Sequence, residues 1–200
     1  MPKIVNHDER RKHYLDALWR VVDRDGVAAV TTRSVAAEAG MSKSNVGHYF
    51  SSRSDLLAAA VAQQLDGVAD ELAAMDLDHC TTSTAIAAIM LALPMTPIRR
   101  NQARVWQWLV SRPASDPESA ATLAELNARV RAGVDEVLAA MNAGGLIGTG
   151  RDLDVEAARL HALVDGLSLE LLSEWSNLSI SAIRRIVTTH VRDLAQPVAE

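Results

Sequence analysis

Apolar residues recur at spacings of three and four along almost the whole chain, which is the pattern of helices that bury one face. Runs of alternating β-branched residues joined by hairpin turns, which would indicate strands, do not occur. The sequence therefore predicts an all-α fold of about nine helices. The expected helices cover about residues 8–25, 32–39, 43–50, 52–75, 84–93, 98–111, 117–143, 154–175 and 179–194.

Several of these helices carry start and stop signals. Residues 6–9 and 52–55 each have an Asn or Ser followed three residues later by an acid, which predicts a capping box whose carboxylate bonds back to the first residue. Residues 116–118, Asp-Pro-Glu, combine a cap, a proline at the first helical position and an acid in the first turn. The glycines at 144–145 are expected to end that helix, and the prolines within 94–97 are expected to stop the fifth helix.

The stretch TTRSVAAEAGMSKSNVGHYF, residues 31–50, predicts two short helices joined by a tight turn. The crossing of the two helices requires a small side chain, which Ala36 supplies, and the turn requires a positive φ, which Gly40 adopts without steric cost. Five apolar residues then recur at the spacing that would pack a wedge against the first helix: Val35, Ala39, Met41, Val46 and Phe50. This combination is typical of a helix-turn-helix.

The net charge of −5 argues against a nucleic-acid partner until its distribution is considered. Residues 1–55 hold nine of the 20 Lys and Arg and seven of the 25 Asp and Glu, for a net charge of +2, which leaves −7 on residues 56–200. A chain that is basic at one end only fits a protein that contacts phosphate with that end. With Cys80 as its one cysteine and no apolar run long enough for a membrane span, the sequence predicts a cytoplasmic chain without a membrane partner.

Through TTRSVAAEAGMSKSNVGHYFSSRSDLL, residues 31–57, and the helix before it, the chain resembles the TetR family of one-component transcriptional regulators. The GHYF variant at 47–50 and the segment 108–141 are similar to the choline-responsive BetI-like branch of that family. The resemblance implies a DNA-binding domain over residues 1–55 and a ligand-binding and dimerisation domain over residues 56–200. It also implies a homodimer that represses transcription from a palindromic, double-stranded DNA operator until a small-molecule effector binds.

The third helix is predicted to read DNA bases. With Val46 inward, a step of about 100° per residue directs Ser44 and His48 away from the core, with Asn45 and Gly47 beside them. The family commonly has an aromatic residue at the position of Gly47, so either the backbone approaches DNA closely there or a phosphate contact has been lost. The resemblance implies phosphate contacts from neighbouring positions, so that the predicted DNA-binding residues are Thr32, Arg33, Ser42, Lys43, Ser44, Asn45, Gly47, His48, Tyr49 and Arg53.

The segment LHALVDGLSLELL, residues 160–172, is apolar around most of its circumference and is predicted to be buried on several sides. The polar stripe of His161, Asp165 and Ser168 leads on to Trp175, which favours a buried cavity or a dimer seam over a solvent-exposed face. The predicted ligand-binding residues are Trp106, His161, Asp165, Ser168 and Trp175.

By resemblance, the effector is a choline-like cation. Trp106, Trp108 or Trp175 would stack on that cation, with Asp165 or Glu170 as the counter-charge. Residues two apart do not share a helix face, so at most one of Trp106 and Trp108 would line a ligand cavity, and core packing is the simpler interpretation of both.

The last two helices are predicted to form the dimer interface. Apolar residues repeat at three and four along the final helix, beside a helix that is already apolar on several sides. The predicted interface residues are Leu167, Leu171, Ile180, Ile183, Val187 and Val191.

Two other classes of function remain open from the sequence. A small helical enzyme would rest on His161 and Asp165 alone, because the chain has no glycine-rich phosphate loop and no nucleophile motif. A helical protein-interaction adaptor would explain the helices but not the turn and its caps. No cofactor and no metal site is expected, because the His79-Cys80 pair has no second pair of ligands near it in sequence.

Overall fold

The computed structural model describes residues 7–111 and 117–197. Over those residues it contains nine α-helices, one short 3-10 helix and no strand, which confirms the predicted all-α fold. None of these helices combines the length and the apolar character that crossing a membrane requires. The helices are α1 His7–Asp25, α2 Thr32–Glu38, α3 Lys43–Gly47, α4 Arg53–Ala73, α5 Thr82–Leu91, α6 Pro97–Val110, α7 Pro117–Ala143, α8 Leu153–Leu172 and α9 Ile180–Leu194, and the 3-10 helix is Val27–Ala29.

The helices divide into two compact units. The first comprises residues 1–64 and 101–126, and the second comprises residues 65–100 and 127–200, so that α4, α6 and α7 each contribute residues to both. A compact unit is defined by its packing, whereas a functional domain is defined by what it binds. The functional boundary after residue 55 therefore stays a prediction.

In the first unit, α1 packs against α2, and α2 packs against α3. Met41 is 37% exposed, which corrects its place in the predicted apolar wedge. Gly40 has a φ of 66° and Ser42 caps α3, so Met41 lies at the turn between the two helices. The other four residues of the wedge are buried as predicted: Val35, Ala39, Val46 and Phe50.

The capping box at the start of α4 differs in one bond from the prediction. The Ser52 hydroxyl accepts a hydrogen bond from the Asp55 N–H at 3.0 Å, as expected. The Asp55 carboxylate, however, accepts from the Ser51 N–H at 2.7 Å instead of bonding back to Ser52. The predicted caps at residues 6–9 and at Asp116 include residues outside the described ranges.

Helix ends further along the chain also differ from expectation. α5 ends at Leu91, and Pro97 is the first residue of α6 instead of a stop signal. A proline fits this position because the first N–H groups of a helix have no partner within the helix. α8 ends at Leu172, so Trp175 lies beyond the helix instead of within its last turn.

The core of the second unit draws apolar residues from α5, α7, α8 and α9, and α5 packs against α9. Four of the six residues predicted for the dimer interface are at most 5% exposed within a single chain and pack in its core: Leu167, Ile183, Val187 and Val191. The periodicity identified a buried face but not its partner. Leu171 is half-buried and Ile180 is 53% exposed, and their place in a dimer stays a prediction.

Candidate nucleic-acid interface

The outward face of α3 is polar, as the sequence predicts. Ser42 caps the helix, with its hydroxyl accepting a hydrogen bond from the Asn45 N–H at 3.2 Å. Val46 is fully buried, which fixes the face that turns inward. Asn45 is half-buried, and four neighbouring residues are exposed: Lys43, Ser44, Gly47 and His48. The side chains predicted to read bases are thus accessible to a duplex.

α3 ends at Gly47, earlier than the predicted end near Phe50. The chain tightens into a turn in which the Tyr49 N–H donates to the Val46 carbonyl at 3.0 Å, and His48 is the C-cap. A Cβ added at Gly47 would meet nothing within 4 Å, so packing within the chain does not require glycine there. Both explanations of Gly47, a close approach of the backbone to DNA and a lost phosphate contact, therefore stay predictions.

The start of α2 carries two further predicted DNA-binding residues, Thr32 and Arg33. Thr31 caps the helix by accepting from the Ser34 N–H at 2.9 Å, while the Ser34 hydroxyl accepts from the Thr31 N–H at 2.8 Å. This reciprocal pair is a capping box with Ser in the usual place of Glu. Arg33 is exposed and Thr32 is half-buried.

Side chains of α1 hold α2 and the turn that follows it. The His13 Nε2 atom lies 3.0 Å from the Ala39 carbonyl oxygen. Arg20 and Arg24 each donate to the Glu38 carboxylate at 2.8 Å. These hydrogen bonds, that of Arg24 before that of Arg20, hold the pKa of Glu38 below its ordinary value. The orientation of the helix-turn-helix therefore depends on α1 through polar as well as apolar contacts.

Tyr49, a predicted DNA-binding residue, belongs to an aromatic cluster. Its ring centroid lies 4.3 Å from that of His7 and 5.2 Å from that of Tyr14. Tyr14 also meets Phe50 edge-on at 6.4 Å, and the guanidinium carbon of Arg11 lies 4.9 Å from the centroid of the Phe50 ring. Such contacts fix ring orientation in addition to burying area. Tyr49 is only half-buried, so part of it is open to a partner.

Arg53, also predicted to contact DNA, has partners within its own chain. Its Nη2 donates to the Val27 carbonyl at 2.7 Å, and its guanidinium carbon lies 4.3 Å from the centroid of the Trp108 ring. Sequence reasoning missed this arrangement because no local pattern connects positions so far apart.

The predicted ligand-binding residues fall into two groups. Trp106 is half-buried on α6 in the first unit, whereas the other four belong to the second unit. His161 Nε2 lies 3.6 Å from Asp165 Oδ2, and their side chains are 15% and 57% exposed. Ser168 is half-buried, and Trp175 is 71% exposed. Within a single chain the polar stripe is therefore partly open to solvent, and its place in a buried cavity or a dimer seam stays a prediction.

A buried ion cluster in the second unit was not predicted from the sequence. Glu156, which is 4% exposed, accepts hydrogen bonds from Arg151 at 2.6 Å and from Arg159 at 2.8 Å. Arg151 also donates to the backbone carbonyls of Asp193 and Gln196, at 2.5 and 3.0 Å. The cluster thereby ties the start of α8 to the end of α9 and the residues after it.

His190 of α9 lies near this cluster. Burial, and after it the positive charge of Arg159, lowers the pKa of His190 below its ordinary value. The lowered pKa favours the neutral form of the His190 ring.

Among the described residues, no three His, Cys, Asp or Glu side chains are placed so that they could hold a metal ion. His79 is exposed, and its backbone N–H and ring Nδ1 lie 3.2 and 3.1 Å from a carboxylate oxygen of Asp76. Cys80 is buried, and burial raises the pKa of its thiol. The adjacent pair is thus divided between solvent and core.

The site consists of the capped helix α2, the tight turn at Gly40 and the helix α3 with its exposed polar face. This is the element that places a helix in the major groove of DNA. The fold and this element define the class of protein, a helix-turn-helix transcriptional regulator. Residues 15–60 match the family described as "Bacterial regulatory proteins, tetR family", and residues 82–196 match "BetI-type transcriptional repressor, C-terminal". The chain belongs to the TetR family of transcriptional regulators, which confirms the resemblance.

Individual relatives agree with this family. The chain is 28% identical to the HTH-type transcriptional regulator PksA of Bacillus subtilis strain 168 over 194 residues, which are 97% of this chain and 94% of PksA. It is 33% identical to BetI of Rhizobium meliloti strain 1021 over 90 residues, and these residues cover 45% of this chain and 44% of that BetI. A crystal structure of a transcriptional regulator from Saccharomonospora viridis in complex with choline shares the fold, with a TM-score of 0.76 and 22% identity over 92% of this chain and 96% of the other. The matched families are regulators and not enzymes, so an enzymatic reading keeps no support beyond His161 and Asp165.

Proposed function

We propose that this regulator is a homodimeric, ligand-responsive repressor that binds a palindromic operator. The exposed polar face of α3 carries the proposal, and the BetI-type repressor match over residues 82–196 supports the direction of regulation. An α3 of only five residues offers few base contacts, so one copy alone would bind weakly. Two copies related by a two-fold axis would read half-sites about 34–36 Å apart, one helical turn of DNA or a little more.

Within each copy, we assign different roles to the exposed residues around α3. Ser44, Asn45 and His48 would meet base edges, because amide, hydroxyl and imidazole groups can pair with the donors and acceptors of the major groove. The backbone at Gly47 would approach the DNA closely. The phosphate contacts would come from Thr32, Arg33, Ser42, Lys43 and Tyr49.

Replacing Asn45 or His48 by alanine is expected to change the preference between operator sequences, since each loses a side chain that reads bases. Replacing Lys43 by alanine should instead weaken binding to all sequences and reduce the slope of log affinity against log salt by about one. The measurement is fluorescence anisotropy with a panel of operator variants at several salt concentrations. Lys12→Ala on α1 removes another exposed lysine and is the matched control. An altered preference in Lys43→Ala, together with unaltered preference in both base-reading variants, would contradict these roles.

We base the dimer proposal on a different surface from the one expected from the sequence. A stripe of apolar and small residues runs along the exposed side of α8 at spacings of three and four, and it is defined here as the α8 stripe: Val155, Ala158, Ala162, Gly166 and Leu169. Val155 and Leu169 are 52% and 51% exposed in a single chain. Small side chains between them would let a second helix approach closely, and covering the stripe would remove apolar area from water.

The proposed effector is a small organic cation. The S. viridis regulator is described with choline, and the BetI-type match covers the region in which an effector would bind. Trp175 remains a candidate for stacking on the cation, with Asp165 as counter-charge, and Trp106 of the first unit stays a separate candidate. Trp108 is a weaker candidate than the sequence suggested, because Arg53 already lies against its ring. Aromatic residues form only 4% of the chain, so a large flat ligand would find few stacking partners.

Choline is expected to raise the melting temperature of the free protein and to weaken operator binding by about 5- to 150-fold, because a ligand acts through its different affinity for two states. The uncharged analogue 3,3-dimethylbutan-1-ol has nearly the same shape and is the matched control, for which neither effect is expected. Thermal unfolding and operator anisotropy with each compound are the two measurements. A higher melting temperature without any change in operator affinity would rule out choline as the effector that controls DNA binding.

A further inference from the structure

Arg53, in the first turn of α4, is held by two groups from different elements of the first compact unit. On one side, its Nη2 donates to the carbonyl of Val27 at 2.7 Å, with the carbonyl of Ala28 at 3.4 Å. On the other side, its guanidinium carbon lies 4.3 Å from the centroid of the Trp108 ring on α6. A charged hydrogen bond and a cation–π contact both depend on orientation, so together they fix the position of the guanidinium.

The segment that Arg53 holds leads directly into α2. Val27 begins the 3-10 helix that ends at Ala29, and the Ala29 carbonyl accepts a hydrogen bond from the Ser34 hydroxyl at 2.8 Å. Ser34 is also half of the capping box that starts α2. A displacement of the Val27 carbonyl would therefore reach the start of α2, where Thr32 and Arg33 lie.

We infer that Arg53 is a positioning residue for DNA binding: it connects Trp108 on α6 to the segment that starts α2, in place of the phosphate contact that family resemblance implies for it. One Nη2 donor and one face of the guanidinium are therefore engaged within the chain. The inference rests on the DNA-binding function, and the test below includes a measurement that needs no DNA.

Three variants separate positioning from phosphate contact: Arg53→Lys, Trp108→Leu and the two together. Lysine keeps the positive charge but lacks the planar group that stacks on an indole and bonds in a fixed direction. The operator is a duplex selected by the wild-type chain from a random pool. We expect each single variant to weaken its binding by about 3- to 30-fold, the size of a partly buried cation–π contact at tenfold per 1.4 kcal/mol. The salt slope should be unchanged, and the double variant should bind no more weakly than the weaker single variant, because both substitutions remove the same connection.

Two variants serve as controls for packing. Val110→Ala shortens an exposed apolar side chain two residues away on α6, on a different face of the helix, and is expected to bind like the wild type. Trp108→Phe keeps an aromatic face and should recover most of the affinity that Trp108→Leu loses. Circular dichroism establishes that each variant is folded.

Hydrogen exchange of the free protein provides the measurement without DNA. Faster exchange is expected at the backbone amides of residues 27–36 in both Arg53→Lys and Trp108→Leu, and not in Val110→Ala. The inference is overturned if exchange in this segment is unchanged. It is also overturned if Arg53→Lys binds like the wild type while Arg53→Ala lowers the salt slope by about one, because that is the behaviour of a phosphate contact. If the wild-type chain selects no duplex from the random pool, that result counts against the DNA-binding function. The exchange rates of residues 27–36 would still decide whether Arg53 and Trp108 hold this segment.

Discussion

Replacing Glu156 by alanine is expected to lower the free energy of unfolding by about 3 to 5 kcal/mol, because the substitution leaves a buried arginine without its counter-charge. The side chains of Arg151 and Glu156 are 12% and 6% exposed, so solvent cannot replace the lost partner. For a chain of this length, the change corresponds to a fall of about 6 to 20 °C in melting temperature. Chemical and thermal unfolding, followed by far-UV circular dichroism, would measure it.

An exposed ion pair in the same protein gives the matched control. Lys12 and Asp16 form a pair on α1 whose side chains are 69% and 43% exposed, and Asp16→Ala should cost less than about 1 kcal/mol. The double variant Glu156→Leu with Arg151→Met removes both buried charges and should recover part of the loss, although it also removes the bonds to the Asp193 and Gln196 carbonyls. A Glu156→Ala protein as stable as Asp16→Ala would show that the cluster contributes little to stability.

The helix-turn-helix could be predicted from sequence because its requirements are local. Gly40 takes the positive φ that the turn needs, and the hydroxyl of Ser42 caps α3 three residues before Asn45. Val46 is four residues before Phe50, whose N–H donates to the Val46 carbonyl at 3.0 Å in the turn after α3, and both side chains are buried. Each of these relations lies within a few residues along the chain, where spacing determines geometry.

The partners of a side chain could not be predicted in the same way. Ile183, Val187 and Val191 form a clear apolar face, yet periodicity does not say whether that face meets another chain or the chain's own core. In sequence, Glu156 and Arg159 look like an ordinary surface pair three residues apart on a helix. Only the fold brings Arg151 to the same carboxylate and buries it. Such contacts depend on tertiary packing, which a local pattern does not contain.

The same distinction changes the choice of variants that test dimerisation. Replacing Ile183 or Leu167 by aspartate would place a charge in the core of one chain, where it would unfold the protein whether or not a dimer exists. A residue that is exposed in the single chain but covered in the proposed dimer separates the two effects. Leu169 meets that condition, because it is 51% exposed and lies on the α8 stripe.

Leu169→Asp is expected to give a folded monomer whose operator affinity is lower by about 100-fold or more. The aspartates of two copies would face each other across the α8 stripe, where burial of like charges opposes association. Two DNA-binding elements joined in one dimer gain about 100- to 10,000-fold over a single element, and the monomer would lose that gain. Analytical ultracentrifugation measures the oligomeric state, and anisotropy with a palindromic duplex and with a single half-site measures binding.

Ile98→Asp is the matched control, since Ile98 is 63% exposed on α6 and lies off the stripe. Half-site affinity should be equal in Leu169→Asp and the wild type, because α3 is untouched. A folded Leu169→Asp protein that still sediments as a dimer and binds the palindrome at full strength would move the dimer contact away from this face of α8.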